Sequence, residues 1–208
     1  MEDLGNRSLD DQIKFMGQGY ALGATAYESD EIAKEEMKKL NLLIFVVAQQ
    51  YWKETKDWQP RVDYKKHIEK IDEVELKEIK NLWVTGRKWS LEYFESIYTL
   101  LGTKFDGYYP ESLTGVWGYD FVIEGLKKGI FEKSEGAIVY RGEKHGLHTR
   151  VFINALGLPT YETKDIGNAP HKFSEFEYDK SLIVTANEID EYFKVVIEAM
   201  KEVNPVLG

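Results

Sequence analysis

The sequence predicts an α/β fold with a helical first half, an inserted helix and hairpin, and a closing parallel β-α unit. Three observations carry this. Apolar residues recur at three- and four-residue spacing through most of the first half, the pattern of helices that bury one stripe. From Ile130 to Asn154, short apolar runs alternate with glycine-bearing turns. Beyond Thr149, strand-like and helix-like stretches alternate, which implies a parallel sheet covered by helices.

From Ser8 to about Trp58 the pattern is helical. Ser8 or Asp10 can cap a segment carrying Ile13, Phe15, Met16 and Tyr20, with Gly17, Gly19 and Gly23 as points of close packing or a kink. A second helix starts near Ser29 or Asp30, with Glu31 at the positive end of its dipole. Its run Leu40 to Ala48 reads as a buried helix. The polar, proline-bearing stretch Lys53 to Lys70 is expected to be a connecting region. A longer helix runs from Asp72 to Leu101, its aromatics at core spacing, and Gly102 stops it. Lys104 to Ser112 reads as a short strand and turn, followed by an amphipathic helix from about Gly115 to Lys128. Ile130 to Lys133, a turn at Ser134-Glu135-Gly136, and Ala137 to Tyr140 form a hairpin pattern. Thr149 to Asn154 is a third strand. Thr160-Tyr161 leads into a short helical segment ended by Pro170. Leu182 to Thr185 reads as a brief strand, and Asn187 to about Val203 as the closing helix.

Composition excludes several classes. With 43% hydrophobic and 30% charged residues over 208 positions, the chain is neither collagen-like nor disordered, and its length fits one large domain or one with an insertion. The formal charge of -9 has the wrong sign for a module that holds nucleic acid by neutralising phosphates on its own. There is no cysteine, hence no disulfide, thiolate nucleophile or Cys-ligated zinc, which fits a cytoplasmic location. The acidic, polar first residues do not resemble a secretory leader, and the most apolar stretch is far short of the roughly 20 residues of a membrane-spanning helix. The chain opens directly into a helical region and stops just after an amphipathic helix, so it is expected to be cut from something longer.

Few motifs carry chemistry by themselves. His145 and His148 could approach one metal, but no third ligand lies at a recognisable spacing, and the expectation is no metal site. Neither Gly-x-Gly-x-x-Gly nor a Walker A sequence occurs. Asp106 with Glu111 is an acidic pair of the kind that arises freely in an acidic chain. Tyr161 and Asp165 are more informative. If a helix begins just after Tyr161, phenol and carboxylate lie over one mouth at the carboxyl edge of a sheet, where open α/β sheets bind ligands. An ionised aspartate there can accept the forked donors of a guanidinium while the phenol supplies a wall and a hydrogen bond.

At these residues the chain resembles the arginyl-tRNA synthetases, class I aminoacyl-tRNA ligases. The likeness runs through HGLHTRVFINALGLPTYETKDIG, with further matches in WSLEYFESIYTLLGTKFDGYYPES, EGLKKGIFEKSEGAIVYRGE and IVTANEIDEYFKVVIEAM. The resemblance implies a Rossmann-like nucleotide-binding core with a connective insertion. On that reading 1–102 is the mainly helical part, 103–148 an inserted α+β connective region, and 149–208 the second half of the core. It also implies arginine, ATP with Mg as counter-ion, and tRNA as partners. Arginyl-adenylate forms first, and the arginyl group then passes to tRNA. Tyr161 and Asp165 correspond to the tyrosine and aspartate that recognise the arginine side chain. The family's His-x-Gly-His signature and lysine loop are not in the sequence, and where the family carries Gly-x-Glu-Gln this chain has Ala186-Asn187-Glu188-Ile189. The expected function is a catalytic-core segment of an arginine-tRNA ligase, incomplete by itself, with weak arginine binding and little autonomous hold on nucleic acid. The alternatives are a non-catalytic synthetase-like binding module and one part of a split enzyme.

Overall fold

The computed structural model describes residues 2–56, 64, 68 and 72–208. The chain divides into two compact units, one of residues 1–58 and 68–108, the other of residues 59–67 and 109–208. The expected connecting region from Lys53 to Lys70 lies mostly outside the described residues; its first four residues continue a helix.

The first unit is helical. It holds α1 (Glu2–Gly5), α2 (Leu9–Ser29), α3 (Glu31–Lys56) and α4 (Glu73–Leu101). Local caps set the boundaries. The Ser8 hydroxyl accepts from the Asp11 N–H, Asp30 from those of Ile32 and Ala33, and Asp72 from those of Val74 and Glu75. Gly102 ends α4 in the left-handed region, at φ 68°. The apolar run of α3 supplies buried Leu43, Val46 and Val47, and α4 supplies Leu76, Ile79 and Trp89. Each fully buried side chain of this kind contributes roughly 1.5–3 kcal/mol. Lys39 to Glu75 and Lys80 to Glu54, at 2.8 and 2.6 Å, bridge α3 and α4 at the surface. Close packing is not what the glycines of α2 provide: Gly17 and Gly19 face open space, and a methyl group on Gly23 would meet only the end of Met37, at 4.0 Å.

The second unit carries α5 (Glu111–Lys127), β1 (Glu132–Ser134), β2 (Ala137–Tyr140), β3 (Arg150–Ile153), α6 (Tyr161–Glu175) and α7 (Asp190–Val203). The sheet is three-stranded in the order β1-β2-β3, and both pairings are antiparallel. This corrects the expected parallel sheet. Leu182 to Thr185 is extended but joins no ladder, and Val184 is 96% exposed. Lys104 to Pro110 is irregular rather than a strand. A hairpin forms, but its first strand is Glu132–Ser134 rather than Ile130 to Lys133, and its turn is Glu135 and Gly136 alone, both at positive φ, 49° and 81°, the pairing that a two-residue turn matched to strand twist requires. Phe131, Tyr140, Phe152, Ile166, Val195 and Ala199 form the centre of this unit's core.

Helix α6 does not stop at Pro170 but runs on to Glu175. Its line is set by a close crossing with α5. A methyl group on Gly118 would lie 1.7 Å from the Thr163 carbonyl oxygen, and one on Gly167 would lie 2.2 Å from the Thr114 carbonyl oxygen. Only glycine permits that approach.

Candidate functional site

The start of α6 is fixed by β3. Asn154 turns the chain after the strand, its Oδ1 accepting from the N–H groups of Leu156 and Leu158 at 3.0 Å each. Gly157 completes the turn at φ 75°. The Thr160 hydroxyl then donates to the Val151 carbonyl at 2.7 Å, and the buried Thr163 hydroxyl donates to that of Phe152. Two threonines in the first turn thus tie the helix to the strand, and the second turn presents Asp165.

Asp165 faces a cleft of about 430 Å³, within the roughly 300–1,000 Å³ of small-molecule sites. Asn168 and Lys172 continue the polar wall along α6; Ile183 and Val184 of the extended segment, with Phe193 and Ile197 of α7, supply apolar walls. The Tyr192 hydroxyl, from the first turn of α7, donates to Asp165 Oδ2 at 2.5 Å. Burial raises the Asp165 carboxyl above its ordinary value; the bond from Tyr192 opposes this without cancelling it, while Glu111 and Glu162 add to the rise. Burial, and then the bond to that carboxylate, push the Tyr192 phenol up, so it stays a donor. Arg150 from β3 lies 5.7 Å over the Tyr192 ring and 3.6 Å from buried Glu162. The arrangement is an acidic acceptor held in a partly apolar cleft, suited to a cation with several N–H donors.

Of the two residues named from sequence, only Asp165 lines the cleft. Tyr161 is the first residue of α6, 65% exposed, with the Lys164 ammonium 4.4 Å over its ring. The phenol bonded to Asp165 is that of Tyr192, which sequence reasoning missed. Its signal was available: Tyr192, Val195, Val196 and Ala199 form the inward stripe of α7, and a tyrosine there needs a polar partner. Asn168 was missed as well. Ile189 sits in the single turn before α7 and does not line the cleft. His145 is engaged by Glu198 and Glu202 at 3.4 and 3.2 Å. Among the described residues no cluster of three His, Asp or Glu side chains could hold a metal ion, and no helix is long and apolar enough to cross a membrane.

No family model matches the chain. The curated relatives that the chain resembles in sequence are arginine--tRNA ligases, members of the aminoacyl-tRNA synthetases. The chain is 36% identical over 121 residues to the arginine--tRNA ligase of Parabacteroides distasonis, covering 58% of this chain and 20% of that protein. It is 34% identical over 119 residues to that of Porphyromonas gingivalis, covering 57% and 20%. The chain thus spans about one fifth of the length of these relatives. The crystal structure of an arginyl-tRNA synthetase from Plasmodium falciparum superposes with a TM-score of 0.53 at 20% identity, over 77% of this chain and 31% of that one, a shared fold.

Proposed function

We propose that this chain provides the arginine-recognising part of an arginyl-tRNA synthetase core, with Asp165 as the acceptor of the substrate guanidinium. The observation that carries the reading is the Asp165 carboxylate, held by Tyr192 on the wall of a cleft with apolar sides. A guanidinium offers five N–H donors in one plane and matches a carboxylate better than any other biological cation. Tyr161 stands at the exposed start of the same helix, where it serves as an outer wall. Arginine, ATP and tRNA are the partners this reading brings, in a cytoplasmic setting.

The resemblance supports taking 149–208 as half of a Rossmann-like core, of which β3, α6 and α7 are formed here while 182–185 joins no ladder. On the same reading 103–148 is the connective insertion and 1–102 the helical part. Among the described residues no group of three acidic or histidine side chains could hold the Mg²⁺ that accompanies ATP. The sequence holds neither His-x-Gly-His nor a lysine loop. We therefore expect the chain to bind arginine without adenylating it. Ile189, apolar where the family carries glutamine, favours a second reading, a synthetase-like binding module without catalysis. Calorimetry with L-arginine on the chain and on Asp165→Ala tests the site; heat lost in the variant is the expected result. ATP–pyrophosphate exchange at background is expected of the chain alone, and turnover above background would remove the second reading.

A further inference from the structure

Asn168 follows Asp165 by three residues on α6, so the two side chains share one helix face, and both line the cleft. The Asn168 Oδ1 is buried and accepts no hydrogen bond from the protein. Buried polar atoms nearly always have a partner, and one left without marks either a cost in stability or a site of use. Asp165 spends Oδ2 on Tyr192, which leaves Oδ1 for a ligand. The χ2 torsion of asparagine is broad, so its oxygen can turn toward the same ligand.

We propose that Asn168 is a specificity residue of this cleft, its carbonyl accepting a second guanidinium N–H while Asp165 accepts the first. The proposal rests on the arginine reading and deepens it. Two acceptors one helical turn apart suit a planar cation whose donors diverge; a lysine ammonium concentrates its charge at one point and spans them less well. Lys172, a turn further along the same wall, adds a positive charge to the cleft that can pair with the carboxylate of a free amino acid.

The test titrates the full chain, Asn168→Leu and Asn168→Ala with L-arginine and with L-lysine, and records the thermal midpoint of each unliganded protein. Leucine preserves volume and alanine guards against misfolding of the first variant. Loss of one polar contact in a desolvated site is worth about tenfold in affinity. Arginine binding should weaken by about that factor in both variants, with lysine binding much less affected and the unliganded midpoint unchanged or higher, because an unpaired buried oxygen has gone. A ratio of arginine to lysine affinity that stays at the starting value overturns the role of Asn168, whatever happens to stability. If the unmodified chain takes up no arginine, the arginine reading falls and this inference with it; if it binds and the variants bind equally well, only the inference falls.

Discussion

Tyr192 donates its phenolic hydrogen to Asp165 across 2.5 Å, joining the first turn of α7 to the second turn of α6 at the cleft wall. The bond occupies one carboxylate oxygen and orients the other. It also offsets part of the burial that works against the ionised form. A carboxylate so held is pre-oriented for a cationic ligand, which lowers the ordering cost of binding.

Replacing Tyr192 with phenylalanine removes that donor and keeps the ring. Hydrogen bonds to charged groups contribute about 1.5–3 kcal/mol; with Asp165 only partly buried, a loss near the lower end is expected. Urea denaturation measures it. In the double variant with Asp165→Ala, which removes the acceptor as Tyr192→Phe removes the donor, the two losses should not add, because each removes the same bond.

The raised carboxyl of Asp165 fixes the sign of two pH effects. The folded, unliganded protein holds this proton more tightly than the unfolded chain. The group's contribution to stability is therefore full below the ordinary value of 3.8 and declines as pH rises from there through the folded value. Arginine favours the ionised form, so its affinity should rise with pH through the same window. Titrations from acid to neutral pH should show this slope in the native chain and lose it in Asp165→Asn.

The crossing of α5 and α6 allows no added carbon. Gly118→Ala would drive a methyl group to 1.7 Å from the Thr163 carbonyl oxygen, and neither helix backbone can yield without repacking. Overpacking of this kind costs about 1–3 kcal/mol and often more. The thermal midpoint should fall sharply, and arginine binding should fall with it because α6 carries Asp165.

Features written in a few adjacent residues were legible before the structure. Ser8 and Asp30, each one of two candidates, cap the helices they precede, Gly102 ends the helix expected from Asp72, and the expected turn at Ser134-Glu135-Gly136 contains the observed one. What failed depended on distant partners. Leu182 to Thr185 has the composition of a strand, but a ladder needs a neighbour and none of the described residues supplies one. Pro170 reads as a helix stop, yet α6, packed closely on α5 at Gly118 and Gly167, continues past it to Glu175. Asp165 was singled out by its local spacing from Tyr161 and by the resemblance. Its actual phenolic partner lies 27 positions away on another helix, a distance over which no spacing rule operates.

The contrast between the two tyrosines gives the last test. Tyr161 is 65% exposed, carries Lys164 over its ring and stands outside the cleft, whereas Asp165 lines it. Truncating Tyr161 to alanine removes little buried area, so stability should change by about 0.5 kcal/mol or less. Arginine affinity should drop by no more than a few-fold, since an outer wall contributes by excluding water rather than by accepting a proton. Asp165→Ala should abolish measurable binding while the fold persists. Calorimetry on the two variants side by side decides the matter: equal and complete losses would mean that Tyr161 turns inward when arginine enters, and an unaffected Asp165→Ala would remove the guanidinium site altogether.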